Sequence, residues 1–230
     1  MEKIDWKAAT IAGALYLVAV VTGMFNLIYV PGQIIVHGDI AATIGNIARL
    51  ETLYRIDIAV AAVGGIAFLL LPLFLYKLLG GVDKTAAAVM VVLVVVGVSI
   101  GFVDMTNQLD LLSLVCTDSY RQLLTPDQRH AMAKALLDSS YHHGVVAELF
   151  WGLWLFPFGY LVFRCGFLPK VLGILLMLGC FGYLIEFFGP ILFPHWRVPD
   201  IVILPSAIGE IGICLWLLIV GARRAGQQPA

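Results

Sequence analysis

Charge is what this sequence has least of. Only 13% of its 230 residues are Asp, Glu, Lys or Arg and 61% are hydrophobic, whereas soluble domains run at about 25% charged and roughly 45–50% apolar. A chain so poor in charge is neither an ordinary soluble domain nor a disordered one. No sign of charge is in excess either: 14 basic and 15 acidic residues leave a net charge of −1. There is no basic surface for the phosphates of a nucleic acid. Cysteine is scarce, and Cys116, Cys165, Cys180 and Cys214 form neither a CxxC pair nor a disulfide framework. Catalytic signatures are missing too: no HExxH, GxSxG, P-loop or DDxxD occurs. An Asp and His set in the outer region could bind zinc, but its spacing signal is weak, and the histidines do not lie in facing spans as haem ligands would, so no metal and no cofactor is expected.

What the chain does have is long apolar runs. A helix needs about 20 residues to cross a hydrocarbon core, and six stretches qualify: Ala8–Tyr29, Ile56–Leu79, Ala86–Leu112, Val145–Phe163, Val171–Phe193 and Ile201–Gly221. Lipid offers no partner to backbone amides and carbonyls, so each span is a helix. The first run is too long for the apolar core of a cleavable signal peptide, and no small-residue cleavage site follows it. The expected fold is all-α: a polytopic membrane helical bundle of six transmembrane helices, with residues 1–230 as a single integral membrane domain. Two connections, Gly80–Thr85 and Gly166–Lys170, are short enough for antiparallel hairpins. The two long ones, Pro31–Arg55 and Cys116–Gly144, fall on the opposite, outer side and carry helical segments of their own.

In the second long loop, Thr125-Pro126-Asp127-Gln128 supplies an N-cap, a proline at N1 and a capping-box glutamine. A helix starting there can run past Ser139 and Tyr141 into span 4. In the first, Asp39 can cap a helix whose Ile40, Ile44, Ile47 and Leu50 follow helical spacing. That helix either lies flat on the bilayer or covers a cavity. Pro72, Pro157, Pro190 and Pro205 mark expected kinks, and Trp6, Tyr29 and Trp196 read as interfacial anchors.

Basic residues favour one side by eight to six: Lys3, Lys7, Lys77, Lys84, Arg164, Lys170, Arg223 and Arg224 against Arg49, Arg55, Arg121, Arg129, Lys134 and Arg197. The side with more of them is cytoplasmic by the positive-inside rule. The expectation is a multi-pass protein of the cell membrane with both termini cytoplasmic.

An ionisable side chain inside a span costs about 2.5–3.5 kcal/mol on insertion scales, so each one invites a functional account. Asp104, Glu148, Glu186 and Glu210 lie inside spans with no lysine or arginine beside them at their depth. All four sit in the middle or the outer half, and the five histidines fall in or beside outer segments. This gathering predicts a polar cavity that opens outward. Asp104, Asn107 and Gln108 share one helical face. Tyr141 and Glu148 lie seven apart on a stripe with Gly144 and Gly152. Gly179, Gly182, Tyr183 and Glu186 line one face of span 5, and Ser206 precedes Glu210 by a turn. Small residues beside the carboxylates let helices approach closely.

Several segments resemble a known family. They are GDIAATIGNIA with Arg55, LYKLL around Lys77, FGYLVFRCGFLPKVLGILLMLGCFGYLIE and GEIGICLWLLIVG. In order and extent, from about Ala9 to Gly221, they resemble a bacterial family of multi-spanning membrane proteins, domain of unknown function 4386. The resemblance points to Asp39, Thr43, Asn46, Arg55, Arg164, Pro169, Gly173, Tyr183, Glu186, Glu210 and Trp216, and it implies no activity. The family pattern has a histidine after an aromatic pair and glycine in span 4; here Phe150-Trp151-Gly152-Leu153 leads to Trp154 instead.

Three functions fit these residues. The first is an intramembrane acid–base enzyme, of isomerase or cyclase type, acting on a lipid-soluble small molecule. Its proton donors would be Glu186 or Glu210 and its bases Glu148 or Asp104, with Asn107, Gln108, Tyr141, Tyr183, Asn46 and Arg55 binding substrate. The second is a proton-coupled carrier of small solutes, since buried carboxylates also serve as proton relays. The third is a non-catalytic membrane subunit or sensor that binds a lipid. The partners expected are membrane lipid or a lipid-soluble small molecule and no nucleic acid, and each reading is compatible with an oligomer.

Overall fold

The computed structural model describes residues 4–193, 195, 196 and 198–226, with Asp200 described by its backbone alone. Lys3 and Arg197, both counted in the charge comparison, lie outside the described residues. The chain is all-α, with no strand among the described residues. Helix α1 (Trp6–Met24) continues through a π-helical segment (Phe25–Tyr29) into α2 (Val30–Ile34). There follow α3 (Ile40–Arg49), α4 (Glu51–Leu79), α5 (Lys84–Cys116) and α6 (Asp118–Leu123). Then come α7 (Pro126–Leu153), α8 (Leu155–Arg164), α9 (Lys170–Leu192), a 3₁₀ turn (Asp200–Ile203) and α10 (Leu204–Ala225).

Among the described residues, six helical stretches are long and apolar enough to cross a membrane: Trp6–Ile34, Glu51–Leu79, Lys84–Cys116, Pro126–Arg164, Lys170–Leu192 and Ile201–Ala225. Each contains or closely overlaps an expected span. The fourth begins at Pro126 rather than Val145 because its capping box forms. Thr125 N–H donates to Gln128 Oε1 at 2.9 Å and Gln128 N–H donates to Thr125 Oγ1 at 3.3 Å. Aspartates start two further helices: Ala8 N–H donates to Asp5 Oδ1 at 2.9 Å, and Ala86 N–H donates to Asp83 Oδ1 at 3.0 Å.

Contacts gather the chain into two compact units whose boundaries fall inside α1, α4, α5 and α7. Unit 1 comprises Met1–Ala19, Ala67–Val98 and Val145–Ala230. Its α8 and α9 form the expected hairpin. Gly159 and Gly173 face one another there, and a Cβ added at either would stand 2.5–2.6 Å from the other's carbonyl oxygen. Only hydrogen lets these backbones approach so closely. Trp154 separates α7 from α8, and Pro157 lies three residues on. The proline lacks the N–H that would bond to the carbonyl of Leu153, which accounts for the break. Pro205, by contrast, stands in the first turn of α10, where no N–H is needed, so it starts a helix instead of kinking one.

Unit 2 comprises Val20–Ile66 and Ser99–Gly144. Its core joins Val30 and Ile34 to Ile47, Tyr54, Leu111 and Val115. Helix α3 spends its apolar face here rather than on the bilayer: Ile47 is completely buried, with Ile40, Ile44 and Leu50 packed alongside. Asp39 caps it as expected, accepting from Ala42 N–H at 2.9 Å. Buried Thr43 accepts from Val36 N–H at 3.0 Å, and Asn46 Nδ2 donates to the carbonyl of Ile34 at 3.1 Å. These side chains close the corner between α2 and α3.

Candidate functional site

Each unit holds a cluster of the expected polar residues. In unit 1 the centre is a bond between the first and last spans. Tyr16, buried on α1, donates its hydroxyl to Glu210 Oε2 of α10 at 2.8 Å. Tyr183 of α9 has Glu210, Glu148 and Glu186 as electrostatic neighbours and lies within hydrogen-bonding reach of the Ser206 side chain. Glu148 of α7 and Glu186 of α9 are themselves close enough to interact. Ser206 donates to the Ile203 carbonyl at 2.7 Å.

Packing explains why these groups meet. A Cβ at Gly152 would collide with the Cβ of Tyr183, so α7 and α9 touch at the level of the tyrosine. A Cβ at Gly179 would stand 2.6 Å from that of Ser206, which seats α10 against α9 just before Glu210. Below Tyr16 lies Trp154, fully buried, its ring centroid 6.1 Å from that of Tyr16. Trp154 also stacks on Phe158 at 5.1 Å and meets Phe68 edge-on at 5.3 Å. Trp154 and Phe158 thus place an apolar floor against the Tyr16–Glu210 pair.

In unit 2, Asp104, Asn107 and Gln108 share a face of α5 as expected, and α7 supplies partners for them. Asn107 Nδ2 donates to Ser139 Oγ at 2.9 Å and lies 3.2 Å from His143 Nδ1. That nitrogen lies 3.4 Å from Asp104 Oδ1, while Gln108 Nε2 donates to Asp104 Oδ2 at 3.3 Å. His143 Nδ1 thus stands between a donor and an acceptor, and the ring tautomer decides which one it engages. Gln108 Oε1 is buried with no hydrogen-bond partner among the described residues. A second polar contact joins α4 to the π-helical segment. With its amide in the orientation that satisfies every partner, Asn26 donates to Asp57 Oδ1 at 3.2 Å and to the Thr22 carbonyl at 3.1 Å, and accepts from Ala61 N–H at 3.0 Å. Asp57 is buried, at 7% exposure.

The other candidate residues lie apart from these clusters. Tyr141 is 69% exposed and meets His142 edge-on. Arg55 pairs with Glu51 at 2.7 Å on an exposed face, and Asn46 holds the α2–α3 corner and accepts from Arg49 Nη2 at 3.1 Å. Of the positions the resemblance adds, Gly173 makes the α8–α9 contact, Pro169 precedes α9 and Trp216 packs against Trp6. Sequence reasoning did not single out Tyr16, Asn26 or Asp57. An aspartate two residues into the apolar run from Ile56 was the available signal for Asp57. Nothing local marked Tyr16, whose partner is on another helix. Among the described residues, no group of three His, Cys, Asp or Glu side chains could hold a metal ion.

Over 76 residues the chain is 35% identical to an uncharacterized protein of Archaeoglobus fulgidus. That stretch takes in 33% of this chain and 44% of the archaeal protein. No solved structure matches the chain. A family model matches residues 11–221 in one continuous stretch, from within the first span to the last turn of the sixth, and the chain therefore belongs to the family described as domain of unknown function (DUF4386).

Proposed function

We propose that unit 1 is an acid–base centre acting on a lipid-soluble small molecule, in an enzyme of isomerase or cyclase type. The observation that carries this reading is the Tyr16–Glu210 hydrogen bond, beside which lies Tyr183, itself a neighbour of Glu148 and Glu186. Glu210 gives a proton to an alkene carbon or a carbonyl or epoxide oxygen of the substrate. Glu148 or Glu186 takes one from a neighbouring carbon, so protons balance and the product is an isomer. Tyr16 positions the Glu210 carboxyl, and Trp154 and Phe158 give the site an apolar side against which a lipid-soluble substrate can lie.

We place both termini on the cytoplasmic side of the cell membrane. A substrate of this class enters from the lipid. A second reading, a lipid-binding subunit without catalysis, is favoured by a crevice of about 330 Å³ along α9, lined by apolar residues from Phe181 to Trp196.

The test is solvent exchange. Protein in nanodiscs is incubated with a lipid extract of its host in heavy water, and the extract is analysed by mass spectrometry. Deuterium entering one lipid-soluble compound with wild type, and not with Glu210→Gln, supports the enzyme. Equal uptake with both proteins removes Glu210 from the reaction, and no uptake with either favours the lipid-binding subunit.

A further inference from the structure

Among the described residues, seven cations are held in one of two ways. In unit 2, Arg55, Arg121 and Lys134 pair with Glu51, Asp118 and Asp138 at 2.7, 3.5 and 2.8 Å. In unit 1, Lys77, Arg164, Lys170 and Arg224 lie over the rings of Phe74, Tyr160, Phe163 and Trp6 at 5.3, 6.0, 5.6 and 5.1 Å. No carboxylate among the described residues pairs with any of these four.

These cations occupy one end of unit 1. Lys77, Arg164 and Arg224 close α4, α8 and α10, whereas Lys170 opens α9, and spans that alternate in direction bring these termini together. Lys7, Lys84 and Arg223 add exposed charge at the same termini. The acids described there are Asp5 and Asp83, and both are engaged as helix caps. Seven cations therefore face two capping carboxylates. Trp6, with Phe167 edge-on at 6.0 Å and Trp216 at 6.2 Å, gives the α8–α9 turn an aromatic seat beside Arg224. A cation over a ring keeps its hydrogen-bond donors available to a further anion. Tryptophan and tyrosine at the end of a span lie at headgroup depth.

We infer that this end of unit 1 binds the phosphodiesters of anionic phospholipids, with Arg164 and Lys170 of the α8–α9 hairpin as the principal ligands. The inference is independent of the acid–base reading.

The experiment uses the full chain in phosphatidylcholine nanodiscs containing a minority of phosphatidylglycerol. Lipids retained on release are counted by class in native mass spectrometry. Wild type retains phosphatidylglycerol beyond its share. The Arg164→Gln, Lys170→Gln double variant loses that preference by about five-fold for each charge removed. The Arg164→Lys, Lys170→Arg exchange keeps most of it. Neutralising paired cations, in Arg55→Gln with Arg121→Gln, leaves it unchanged. If the double variant does not fold, Lys170→Gln alone, at an exposed side chain, carries the test with a five-fold expectation. The inference is overturned if wild type shows no preference, or if both double neutralisations lower it equally.

Discussion

In unit 1 the hydrogen bond at the centre joins Tyr16 to a residue 194 positions away. In unit 2 the bonds around Asn107 reach partners only 32 and 36 positions away, on the next long helix. The contrast extends to what surrounds each carboxylate. Asp104 has an imidazole and two amides beside it, while Glu210 has a tyrosine and, further off, more carboxylates. A carboxylate ringed by donors is fixed in place. Glu210 is held by a single donor among the described residues, and that donor comes from the other end of the chain.

The sharpest way to break this comparison is Glu210→Gln, which keeps the shape and removes the acid. Deuterium incorporation should fall by about 10²–10⁴-fold, while the equivalent change Asp104→Asn should leave it within a few-fold. Next comes Gly173→Val on the scaffold of unit 1. Its side chain would meet backbone atoms of Gly159 and Phe163 that have no means of yielding, so a loss of about 3 kcal/mol, at the upper end for overpacking, is expected in detergent unfolding. Tyr16→Phe should cost about 1.5–3 kcal/mol by leaving Glu210 without its donor, and should also slow exchange while Glu210 is still present. In unit 2, Asp39→Ala removes a helix cap and should cost about 1 kcal/mol with no effect on exchange. Smallest is Lys134→Ala. Its exposed pair with Asp138 is worth about 0.3–0.5 kcal/mol, a difference visible only in a double-mutant cycle.

What could be read from the sequence follows the same division. The six spans, the capping box at Thr125 and the Asp39 cap were legible because each depends on residues within a few positions of one another. The face shared by Asp104, Asn107 and Gln108 was legible for the same reason. His143 and Ser139 were not marked as its partners, since a histidine pair at the head of a span looks the same whether it faces solvent or a neighbouring helix. The apolar stripe of α3 could be seen in the sequence but not its destination, because a bilayer and a protein core accept the same side chains. Glu210 stood out as a carboxylate in an apolar run. Tyr16 did not, since a tyrosine in an apolar run is unremarkable until the partner of its hydroxyl is known.

On the proposed acid–base reading, the Tyr16–Glu210 bond also sets a time at which the protein can begin to work. Helices enter the membrane in the order in which they are synthesised. Tyr16 is therefore in place among the first residues, and its partner arrives only with the sixth span. Until then unit 1 lacks Glu210, the proposed acid, although most of the helices around it have already been made. A nascent chain stalled before α10 should accumulate as an inactive five-span intermediate, and activity should appear only as the last helix docks.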